Sequence, residues 1–281
     1  MRTVLVTGAS SGIGLATSVE LAKRNWTVLA TMRDLGKRGE LERQLAAADV
    51  GGNVRIHPLD VADQSSIDQF FANLELSKQP LDAVVHNAGT AVGGAFEDLS
   101  DADIRRVMEV NFFGVLAVTR RLLPAFRAQR HGRIVIISSE TAYAGQPAIS
   151  PYCASKWALE GWAESLCYEV APFDVQITLI EPGAFRTNIW TSSPRVVPND
   201  SVYRPLLQHL ETAVHEHVEA TAGDPREVAN AVAAALQSPR PRFRYPVGFT
   251  AKMGHLMRGK VPSSLVRKIV RRYFGFSRIP W

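Results

Sequence analysis

Short apolar runs rich in Val, Ile and Thr alternate along the chain with longer stretches whose apolar residues recur at helical spacing. The runs occupy positions 3–6, 27–30, 54–56, 83–85, 133–137, 176–180 and 244–247. Each run has the length of a strand, and the stretches between them are long enough for crossover helices. This alternation predicts an α/β fold with one doubly wound parallel sheet, helices on both faces and a C-terminal helical extension.

Residues able to bind a ligand follow these runs at the point where each predicted strand ends. They are Gly8 after the first run, Arg33 after the second, Asp60 after the third, Asn87 after the fourth, Ser138 and Ser139 after the fifth, and Pro182 and Gly183 after the sixth. The carboxyl ends of parallel strands share one edge of a sheet, where ligand crevices form. We therefore expect these residues to converge on a single site.

A glycine-rich turn joins the first strand to the first helix and reads Thr-Gly-Ala-Ser-Ser-Gly-Ile-Gly from Thr7 to Gly14. Glycines allow a pyrophosphate to approach the backbone closely, and the free amides at a helix N-terminus favour an anion. The spacing Gly-x-x-x-Gly-x-Gly differs from the common Gly-x-Gly-x-x-Gly fingerprint. The turn predicts a dinucleotide phosphate site, with a plain turn as the alternative. The residues of this site would be Gly8, Ser10, Ser11, Gly12, Ile13 and Gly14.

Tyr152 and Lys156 lie four positions apart in a stretch with helical spacing. On a helix this spacing places the phenol and the ammonium on one face. A nearby ammonium favours the phenolate, so we expect the pKa of Tyr152 to lie below its usual value of about 10. Tyr152 is therefore a candidate general acid and base. The pair alone is weak evidence, because tyrosine and lysine at this spacing also form ordinary solvated helix faces.

Together these motifs resemble those of the short-chain dehydrogenase/reductase family over nearly the whole chain. The resemblance implies a Rossmann-type domain in which the turn from Thr7 to Gly14 binds the cofactor phosphates. Asp60 matches the acid that holds the adenine, with Val61 in the usual following position. The remaining cofactor motifs are an Asn-Asn-Ala-Gly turn, present as His86, Asn87, Ala88 and Gly89, and a Pro-Gly-x-x-x-Thr motif, present as Pro182, Gly183 and Thr187. The resemblance implies that Thr187 contacts the nicotinamide carboxamide.

The resemblance also implies a catalytic tetrad of Asn111, Ser139, Tyr152 and Lys156, with Ser139 thirteen positions before Tyr152 as in the family pattern. Ser139 would donate a hydrogen bond to a substrate carbonyl oxygen, where negative charge develops as hydride arrives. Tyr152 would deliver the proton, Lys156 would hold the nicotinamide ribose, and Asn111 would anchor a water in the proton path. Singly, Ser139 could instead be a cap or strand end, and Asn111 a buried hydrogen-bonded residue.

The residues after the second strand bear on the choice of cofactor. An acid there holds the ribose 2′-hydroxyl of NAD, whereas a base accommodates the 2′-phosphate of NADP. In this chain Met32 stands at the position of the acid, and Arg33 follows with a guanidinium suited to bidentate phosphate recognition. We therefore predict NADP(H) as the cofactor. Asp34 could still neutralise Arg33 or turn toward a ribose hydroxyl, and Arg33 could be a solvated loop residue.

Length and composition agree with one domain. A chain of 281 residues near this size buries about 75% of its unfolded surface. We assign residues 1–250 to the dinucleotide-binding and catalytic domain and 251–281 to a basic extension of it. The first strand directly follows Arg2, which leaves no room for a signal peptide, and no apolar run reaches the roughly 18 residues of a membrane span. We therefore expect a cytoplasmic protein, with membrane association as an alternative.

Cysteines and histidines point to neither a disulfide nor a metal site. Cys153 and Cys167 are fourteen positions apart on one predicted helix, a rise of about 21 Å, which is too far for a disulfide. His209, His215 and His217 resemble metal ligands only superficially, because they flank a polar helix rich in glutamate. We expect reduced thiols and no bound metal.

The net charge of +5 raises the question of nucleic acid. The tail is basic, but it lacks an aromatic stacking platform or a groove-reading motif, so we expect no nucleic-acid partner. From position 264 to 274, bases alternate with apolar residues and predict a basic amphipathic helix. It could be a lid, an interface in a homo-oligomer, or a contact with a membrane surface. The bases of the tail are Arg258, Lys260, Arg267, Lys268, Arg271, Arg272 and Arg278.

Segment 184–224 corresponds to the part of the family that closes over the substrate. Its apolar residues, which predict an apolar pocket, are Phe185, Ile189, Trp190, Val196, Val197, Tyr203, Leu206 and Leu207. Positions 152–181 and 30–35 are similar to hydroxysteroid and retinol dehydrogenases. The resemblance implies NADP(H)-dependent interconversion of an alcohol and a ketone or aldehyde, on a bulky lipophilic substrate. Two alternatives stay open: a 3-oxoacyl-thioester or small-carbonyl reductase of the family, and a dinucleotide-sensing protein, which would not need Tyr152 and Lys156 together.

Overall fold

The computed structural model describes residues 1–74 and 80–276, with the backbone alone at 190–191 and 215–220. Within these ranges seven parallel strands form one sheet, in the order β3-β2-β1-β4-β5-β6-β7. The strands are β1 Thr3–Val6, β2 Thr27–Met32, β3 Val54–Pro58, β4 Ala83–His86, β5 Gly132–Ile137, β6 Val175–Pro182 and β7 Arg244–Val247. The predicted single doubly wound sheet is confirmed.

Helices cover both faces of this sheet. In chain order they are α1 Gly12–Lys23, α2 Gly39–Ala47, α3 Gln64–Asn73, α4 Asp101–Met108, α5 Gly114–Gln129, α6 Ser150–Val170, α7 Ile189–Ser192, α8 Arg204–Thr221, α9 Pro225–Gln237, α10 Phe249–Met257 and α11 Ser263–Tyr273. A π-helical turn, Glu109–Phe113, joins α4 to α5. Capping residues set several of the starts: Ser100 and Asp103 form a capping box at α4, and Asp224 and Glu227 form one at α9.

Successive residues of the central strand enter different hydrophobic layers, as the two-residue repeat of a strand requires. Val6 belongs to a buried cluster with Leu15 of α1 and Val228 of α9. Leu5 belongs to the opposite cluster, with Val118 of α5. Because both faces are covered, the central strand β1 is apolar from Val4 to Val6, and helical layers pack against the sheet from each side.

The strand order reverses beside β1, which pairs with β2 on one side and with β4 on the other. Val6 near the end of β1 aligns with Ala30 of β2 and with Val85 of β4. The loops that leave β1 and β4 therefore diverge at this point and open a crevice at the carboxyl edge of the sheet. This is the switch point at which doubly wound sheets bind ligands.

Several strands are longer than the sequence pattern predicted. β2 continues to Met32, so that Arg33 directly follows it, and β6 continues through Pro182, which we had placed after the strand. Pro58 ends β3 at the outer edge of the sheet, where its missing N–H leaves no ladder partner unsatisfied. Proline and polar residues broke the apolar pattern although the backbone continued in the sheet.

The C-terminal extension is two helices rather than one. Its second helix, α11, begins at Ser263, one residue before the predicted start, and ends at Tyr273. The predicted boundary between residues 250 and 251 lies inside α10, so the extension continues without a break from β7. In the ranges that the structure describes, no helix is both long and apolar enough to cross a membrane.

Candidate active site

A cleft of about 840 Å³ runs along the carboxyl edge of the sheet, from the glycine turn to α11. Among the residues predicted for the site, it is lined by Gly8, Ser10, Ser11, Gly12, Ile13, Arg33, Asp60, Val61, Asn87, Ala88, Gly89, Ser139, Tyr152, Lys156, Pro182, Gly183 and Thr187. Gly14 and Asn111 lie behind the lining. The tertiary structure thus brings the predicted residues together at one cleft.

The glycine turn is built so closely that side chains would not fit. Gly8 has a φ of +70°, and a Cβ there would lie 2.8 Å from the Cα of Ala88. A Cβ on Gly14 would lie 2.2 Å from the carbonyl oxygen of Gly8 and 2.3 Å from the side-chain nitrogen of Asn87. Gly8 and Gly14 therefore act through backbone packing, which allows α1 to start directly against the end of β4.

Asn87 joins the two strand ends on either side of the crevice. Its side-chain nitrogen donates to the carbonyl oxygens of Thr7 at 3.0 Å and Gly8 at 2.9 Å. The hydroxyl of Thr7 accepts from the backbone nitrogens of Asn87 at 3.0 Å and Ala88 at 3.1 Å. These four bonds fix the glycine turn against β4, so Asn87 has a structural role besides the predicted contact with cofactor.

The N-terminus of α1 has the properties of an anion site. Ser11 at the cap makes no side-chain capping hydrogen bond, and the first turn of α1 contains no acid. Ser11, Gly12 and Ile13 all line the cleft. Amides at this helix start are therefore open to an acceptor from the cleft, and the helix dipole favours a negative one. This arrangement fits the pyrophosphate of a dinucleotide.

The loop after β2 contributes cations to the same part of the cleft as the glycine turn. Arg33 and Lys37 both line it, and Lys37 was missed because nothing in its spacing distinguished it from a surface lysine. Asp34 accepts from the backbone nitrogen of Gly36 at 2.8 Å and makes no ion pair with Arg33 in the described part of the chain. Asp60 accepts from the nitrogen of Ala62 at 3.0 Å. Asp34 thus stabilises its own turn and leaves Arg33 cationic.

Tyr152 and Lys156 lie in the first turns of α6, and both are buried. The ammonium of Lys156 lies 5.6 Å from the centre of the Tyr152 ring and donates to the carbonyl oxygen of Ile137 at 2.8 Å. Burial lowers the pKa of Lys156 to about 8. The shared helix face predicted from their spacing is present.

The prediction of a lowered pKa for Tyr152 is wrong for this arrangement. Burial raises the pKa of Tyr152 to about 12, and the hydrogen bond with the Ser139 side chain acts in the opposite direction. The cost of ionising a phenol away from water outweighs the neighbouring ammonium, because Lys156 is itself buried and directed to Ile137. Tyr152 is therefore protonated near neutral pH, the state that a proton donor requires.

Ser139 stands two residues after the end of β5, with its side chain at the same place. Its hydroxyl accepts from the backbone nitrogen of Thr141 at 3.2 Å and shares a hydrogen bond with Tyr152. The capping role that we considered for Ser139 is therefore real, but it coexists with the contact to Tyr152. The neighbouring Ser138 points away and donates to Glu160 at 2.6 Å. Only Ser139 of the two serines lies beside Tyr152 in the way that the tetrad requires.

Asn111 lies in the π-helical turn, 1% exposed. Its side-chain oxygen accepts from the nitrogen of Thr90 at 2.8 Å, and its side-chain nitrogen donates to the Thr90 carbonyl at 2.9 Å. That nitrogen also donates to the hydroxyl of Ser155 at 3.0 Å. Asn111 therefore ties the loop after β4 to α6, three residues from Tyr152. The predicted water contact stays a prediction.

His86, which replaces the first asparagine of the family turn, is a core residue. Its Nε2 atom lies 2.9 Å from the hydroxyl of Thr119 on α5. Burial lowers the pKa of His86 to about 3, so the ring is neutral. His86 therefore takes part in the packing between β4 and α5, and Asn87 remains in the crevice.

Glu140 follows Ser139 and also lines the cleft, although no motif drew attention to it. Burial raises the pKa of Glu140, and a hydrogen bond with Thr250 lowers it by less. A Cβ on Gly183 would lie 3.1 Å from the Glu140 carboxylate and 2.5 Å from the Thr250 hydroxyl. Gly183 is therefore required for the start of α10 to approach the loop after β5.

The other half of the cleft comes from later in the chain, and its apolar walls are interrupted by Ser193 and by the paired Arg195 and Glu211. Of the residues predicted for the pocket, the lining includes Phe185, Ile189, Val197 and Leu207, but not Val196, Tyr203 or Leu206. Leu210 and Val214 of α8 and Tyr273 and Phe274 at the end of α11 also line it and were missed. The Tyr203 hydroxyl instead donates to Glu97 at 2.8 Å. The Trp190 side chain lies outside the described residues.

The tail is attached to this half at two places. His209 of α8 contacts the carbonyl oxygen of Phe274 at 2.8 Å through Nε2; the side chains of His215 and His217 lie outside the described residues, as does Arg278. The second attachment is a cluster around two buried carboxylates. Arg258, just after α10, lies 3.2 Å from the carboxylate of Glu160.

Cys153 and Cys167 are both free thiols.

The buried carboxylates are Glu160 of α6 and Glu181 of β6. Arg244 pairs with Glu160 and lies 2.7 Å from Glu181. The Tyr143 hydroxyl donates to Glu181 and lies 3.4 Å from a ring nitrogen of His255 on α10. These contacts tie α10 to the sheet beside the serine loop.

Chemically, the cleft places hydroxyl donors between a polar half and an apolar half. Ser139 and Tyr152 stand side by side where the two halves meet. Such a pair can bind and protonate a carbonyl oxygen. The polar half offers free amides and cations, which suit a dinucleotide.

Comparison with known proteins gives related findings for most of the chain. A family model described as short chain dehydrogenase matches residues 2–196. An uncharacterised oxidoreductase, YusZ of Bacillus subtilis, is 38% identical over 276 residues, covering 96% of this chain and 98% of its own. Retinol dehydrogenase 8 of Bos taurus is 34% identical over 256 residues, covering 86% of this chain and 80% of its own.

Among solved structures, a short-chain dehydrogenase from Streptomyces avermitilis superimposes with a TM-score of 0.78 at 31% identity. The match covers 99% of this chain and 97% of that one. The likeness therefore extends through the tail helices as well as through the sheet.

Proposed function

The chain belongs to the short-chain dehydrogenase family, and from that premise we propose that it is an NADP(H)-dependent oxidoreductase that interconverts an alcohol and a ketone or aldehyde on a bulky lipophilic substrate. The observation that carries the proposal is the hydrogen-bonded pair of Ser139 and Tyr152, with the buried Lys156 beside it, at the junction of the cleft's two halves. A protein that only sensed a dinucleotide would not need this group.

In the reducing direction, the Ser139 hydroxyl donates a hydrogen bond to the carbonyl oxygen of the substrate. Tyr152, protonated because burial raises its pKa to about 12, transfers its proton to that oxygen as negative charge develops. Lys156 holds its position through the Ile137 carbonyl. In the oxidising direction the phenol must first lose its proton, so that direction gains rate as the pH rises. A nicotinamide dinucleotide, when bound, supplies or accepts the hydride.

The cofactor preference rests on Arg33. This side chain directly follows β2, lines the cleft, and is not neutralised by Asp34, which is engaged with Gly36. A guanidinium in this place suits the 2′-phosphate of NADP. Lys37 adds a second cation to the same end. The free amides at the start of α1 would hold the pyrophosphate, with Asp60 at the adenine.

The lipophilic substrate rests on the apolar half of the cleft, where Phe185, Leu207, Leu210 and Phe274 supply the walls. The similarity to Retinol dehydrogenase 8, whose name states a lipophilic alcohol, supports the same class of substrate. A 3-oxoacyl-thioester would have to place a polar carrier arm along these walls, which disfavours it.

The test is a substrate panel with either NADPH or NADH, in which consumption of the cofactor is followed. The panel holds a steroid ketone, a retinoid aldehyde, a small aliphatic ketone and a 3-oxoacyl thioester. We expect the two bulky compounds to exceed the small ketone in kcat/KM by roughly tenfold or more, since each buried methylene adds about 1 kcal/mol. Tyr152→Phe is the control for contaminating activity. A faster thioester would favour the alternative reductase, and no turnover with any compound would favour the sensor.

A further inference from the structure

The charge of this chain is divided sharply along its length. Glu227 is the last acidic residue, and all 27 acids therefore lie within residues 1–227. Of the 32 lysines and arginines, 11 follow Glu227, which leaves residues 1–227 with a net charge of −6 and the last 54 residues with +11. The body of the protein is therefore acidic. The extension, residues 251–281, contains eight bases and no acid.

Helix α11 has a wide apolar stripe, of which only one edge is used for packing. Val266, Val270 and Phe274 repeat every four residues, and this edge is turned inward, with Phe274 6% exposed. Leu265 and Ile269 form the other edge, also four residues apart, and are 47% and 42% exposed. The helix therefore packs inward with one edge, which ends at Phe274 in the cleft wall, and presents the other edge to the surroundings.

Bases lie along one side of the exposed edge. Lys268 and Arg272 are exposed and lie on the polar side next to Leu265 and Ile269, by the geometry of a helix with 3.6 residues per turn. Neither base makes an ion pair with a residue that the structure describes. We name Leu265, Lys268, Ile269 and Arg272 the tail face. Exposed apolar side chains beside exposed cations are the pattern of a helix that lies in a membrane interface.

The preceding helix repeats this pattern. On α10, Phe249, Met253 and Leu256 are spaced three and four residues apart and are 79%, 40% and 58% exposed. Lys252 is exposed on the same helix. Two successive helices of the tail thus each keep an apolar face outside the core. Scattered exposed apolar residues are ordinary on a protein surface, but a run of them at helical spacing is not.

We propose that the tail face is a docking surface for an anionic lipid bilayer. The extension, residues 251–281, has eight bases and no acid and is attracted to anionic headgroups, and Leu265 and Ile269 enter the boundary between headgroups and acyl chains. A symmetric contact between the tail faces of two copies does not suit this surface, because it would place like charges face to face. A nucleic acid would use the bases and leave the apolar edge without a partner.

The position of the tail face gives docking a consequence. Tyr273 and Phe274, at the end of the same helix, line the cleft. A bilayer held against α11 would therefore lie beside the cleft wall, where a substrate dissolved in the lipid could enter without crossing water. This consequence rests on the proposed lipophilic substrate, but docking itself does not.

The experiment measures co-sedimentation of the full chain with vesicles of equimolar phosphatidylglycerol and phosphatidylcholine, and with phosphatidylcholine alone. We expect binding to the anionic vesicles at low ionic strength and release by salt, because the Debye length falls from about 30 Å at 0.01 M to about 3 Å at 1 M. Lys268→Gln with Arg272→Gln should weaken the partition coefficient roughly 30-fold, since each base near an anionic surface contributes about fivefold.

Leu265→Ser with Ile269→Ser should weaken it roughly tenfold or more through the lost apolar insertion, while retention on heparin stays unchanged. Two matched controls should bind as the unaltered chain does: Lys23→Gln with Arg127→Gln, which removes the same charge from exposed sites on the body, and Val202→Ser, at a residue 75% exposed. The proposal is overturned if the chain fails to bind anionic vesicles, or if the Leu265 and Ile269 variant binds undiminished. The vesicle assay needs no turnover, so its failure is distinct from a failure of the proposed enzymatic function.

Discussion

The two halves of the cleft are built in different ways. The half at the glycine turn is formed by backbone: Gly8 and Gly14 pack against β4 at distances that leave no space for a side chain, and Asn87 bonds the turn in place. The apolar half is formed by side chains from α7, α8 and α11, such as Leu207 and Phe274. The first half tolerates almost no change in its residues, whereas the second can change its walls without changing the sheet.

This difference separates binding a common cofactor from choosing a substrate. In the proposed cofactor site, the amides at the start of α1 suit a pyrophosphate, and every sequence with this turn supplies them. A lipophilic substrate is recognised by the shape of an apolar wall, and that shape depends on segments distant from each other in the chain. Tyr152 and Ser139 lie where the halves meet, so reaction depends on both.

The largest effect is expected at this junction. Tyr152→Phe should lower kcat by about a thousandfold, because the proton donor is removed while the ring remains. Steady-state turnover with NADPH measures the loss, and binding of cofactor should change little. Tyr168→Phe, on the same helix and 73% exposed, is the matched control. Activity retained within about tenfold would remove Tyr152 from the acid–base role.

A substitution in the backbone half should affect cofactor before chemistry. In Gly14→Ala the new methyl would overlap the Gly8 carbonyl at 2.2 Å, so we expect cofactor affinity to fall roughly a hundredfold and Tm to fall by several degrees. Gly161→Ala in α6, where a Cβ meets nothing within 4 Å, should raise Tm slightly instead. Equal behaviour of both variants would contradict the account of a backbone-built half.

Arg33→Ala tests cofactor selectivity in the same half of the cleft. Loss of one guanidinium from the 2′-phosphate should weaken NADP binding by roughly 10-fold to 100-fold, as for a charge-assisted hydrogen bond of about 1.5–3 kcal/mol, and leave NAD binding nearly unchanged. Titration of both cofactors measures the ratio. Arg38→Ala, outside the cleft lining, is the control. Parallel losses for NADP and NAD would show that Arg33 does not recognise the phosphate.

A substitution in the side-chain half should act on substrate alone. Phe274→Ala removes a buried wall residue, and we expect KM for a bulky substrate to rise by roughly fivefold to tenfold, while cofactor affinity and KM for a small ketone stay unchanged. Phe249→Ala, 79% exposed on α10, should change neither constant in the absence of vesicles. If Phe274→Ala weakened cofactor binding as much, the two halves would not be separable.

The smallest effect is expected in the cluster that anchors the tail. Burial raises the pKa of Glu181 from its usual value of 4.5 to about 7, against the opposing influence of Tyr143 and Arg258. Between about pH 4.5 and about pH 7, Glu181 of the folded protein therefore keeps a proton that the unfolded chain releases. The contribution of Glu181 to stability is complete below about pH 4.5 and is lost as the pH rises through about 7.

Glu181→Gln, which cannot titrate, should lack this part of the pH dependence. Urea midpoints at about pH 5 and about pH 8 for both proteins measure it. Arg244, Arg258, Tyr143 and His255 also face this carboxylate and are unchanged in the variant. Parallel curves for the two proteins would show that Glu181 does not titrate in this range.

Most of the predicted residues line the backbone half of the cleft or its junction with the other half. They could be predicted because their motifs are local: the glycine turn, the residues after each strand, and Tyr152 with Lys156. The exceptions are physical. Gly14 and Asn111 do not line the cleft, since one packs beneath the turn and the other bonds Thr90 and Ser155. The pKa of Tyr152 rose rather than fell because spacing reports proximity to Lys156 but not burial.

What the sequence determined by itself is the order of strands and helices and the motifs at the strand ends, because both depend on short-range periodicity and on backbone conformations that few residues allow. Only the tertiary structure decided which apolar residues line the cleft, how Glu160 and Glu181 share Arg244, and that Phe274 returns to the cleft from the end of the chain. These contacts join residues far apart in sequence, and no local pattern records the distance between them.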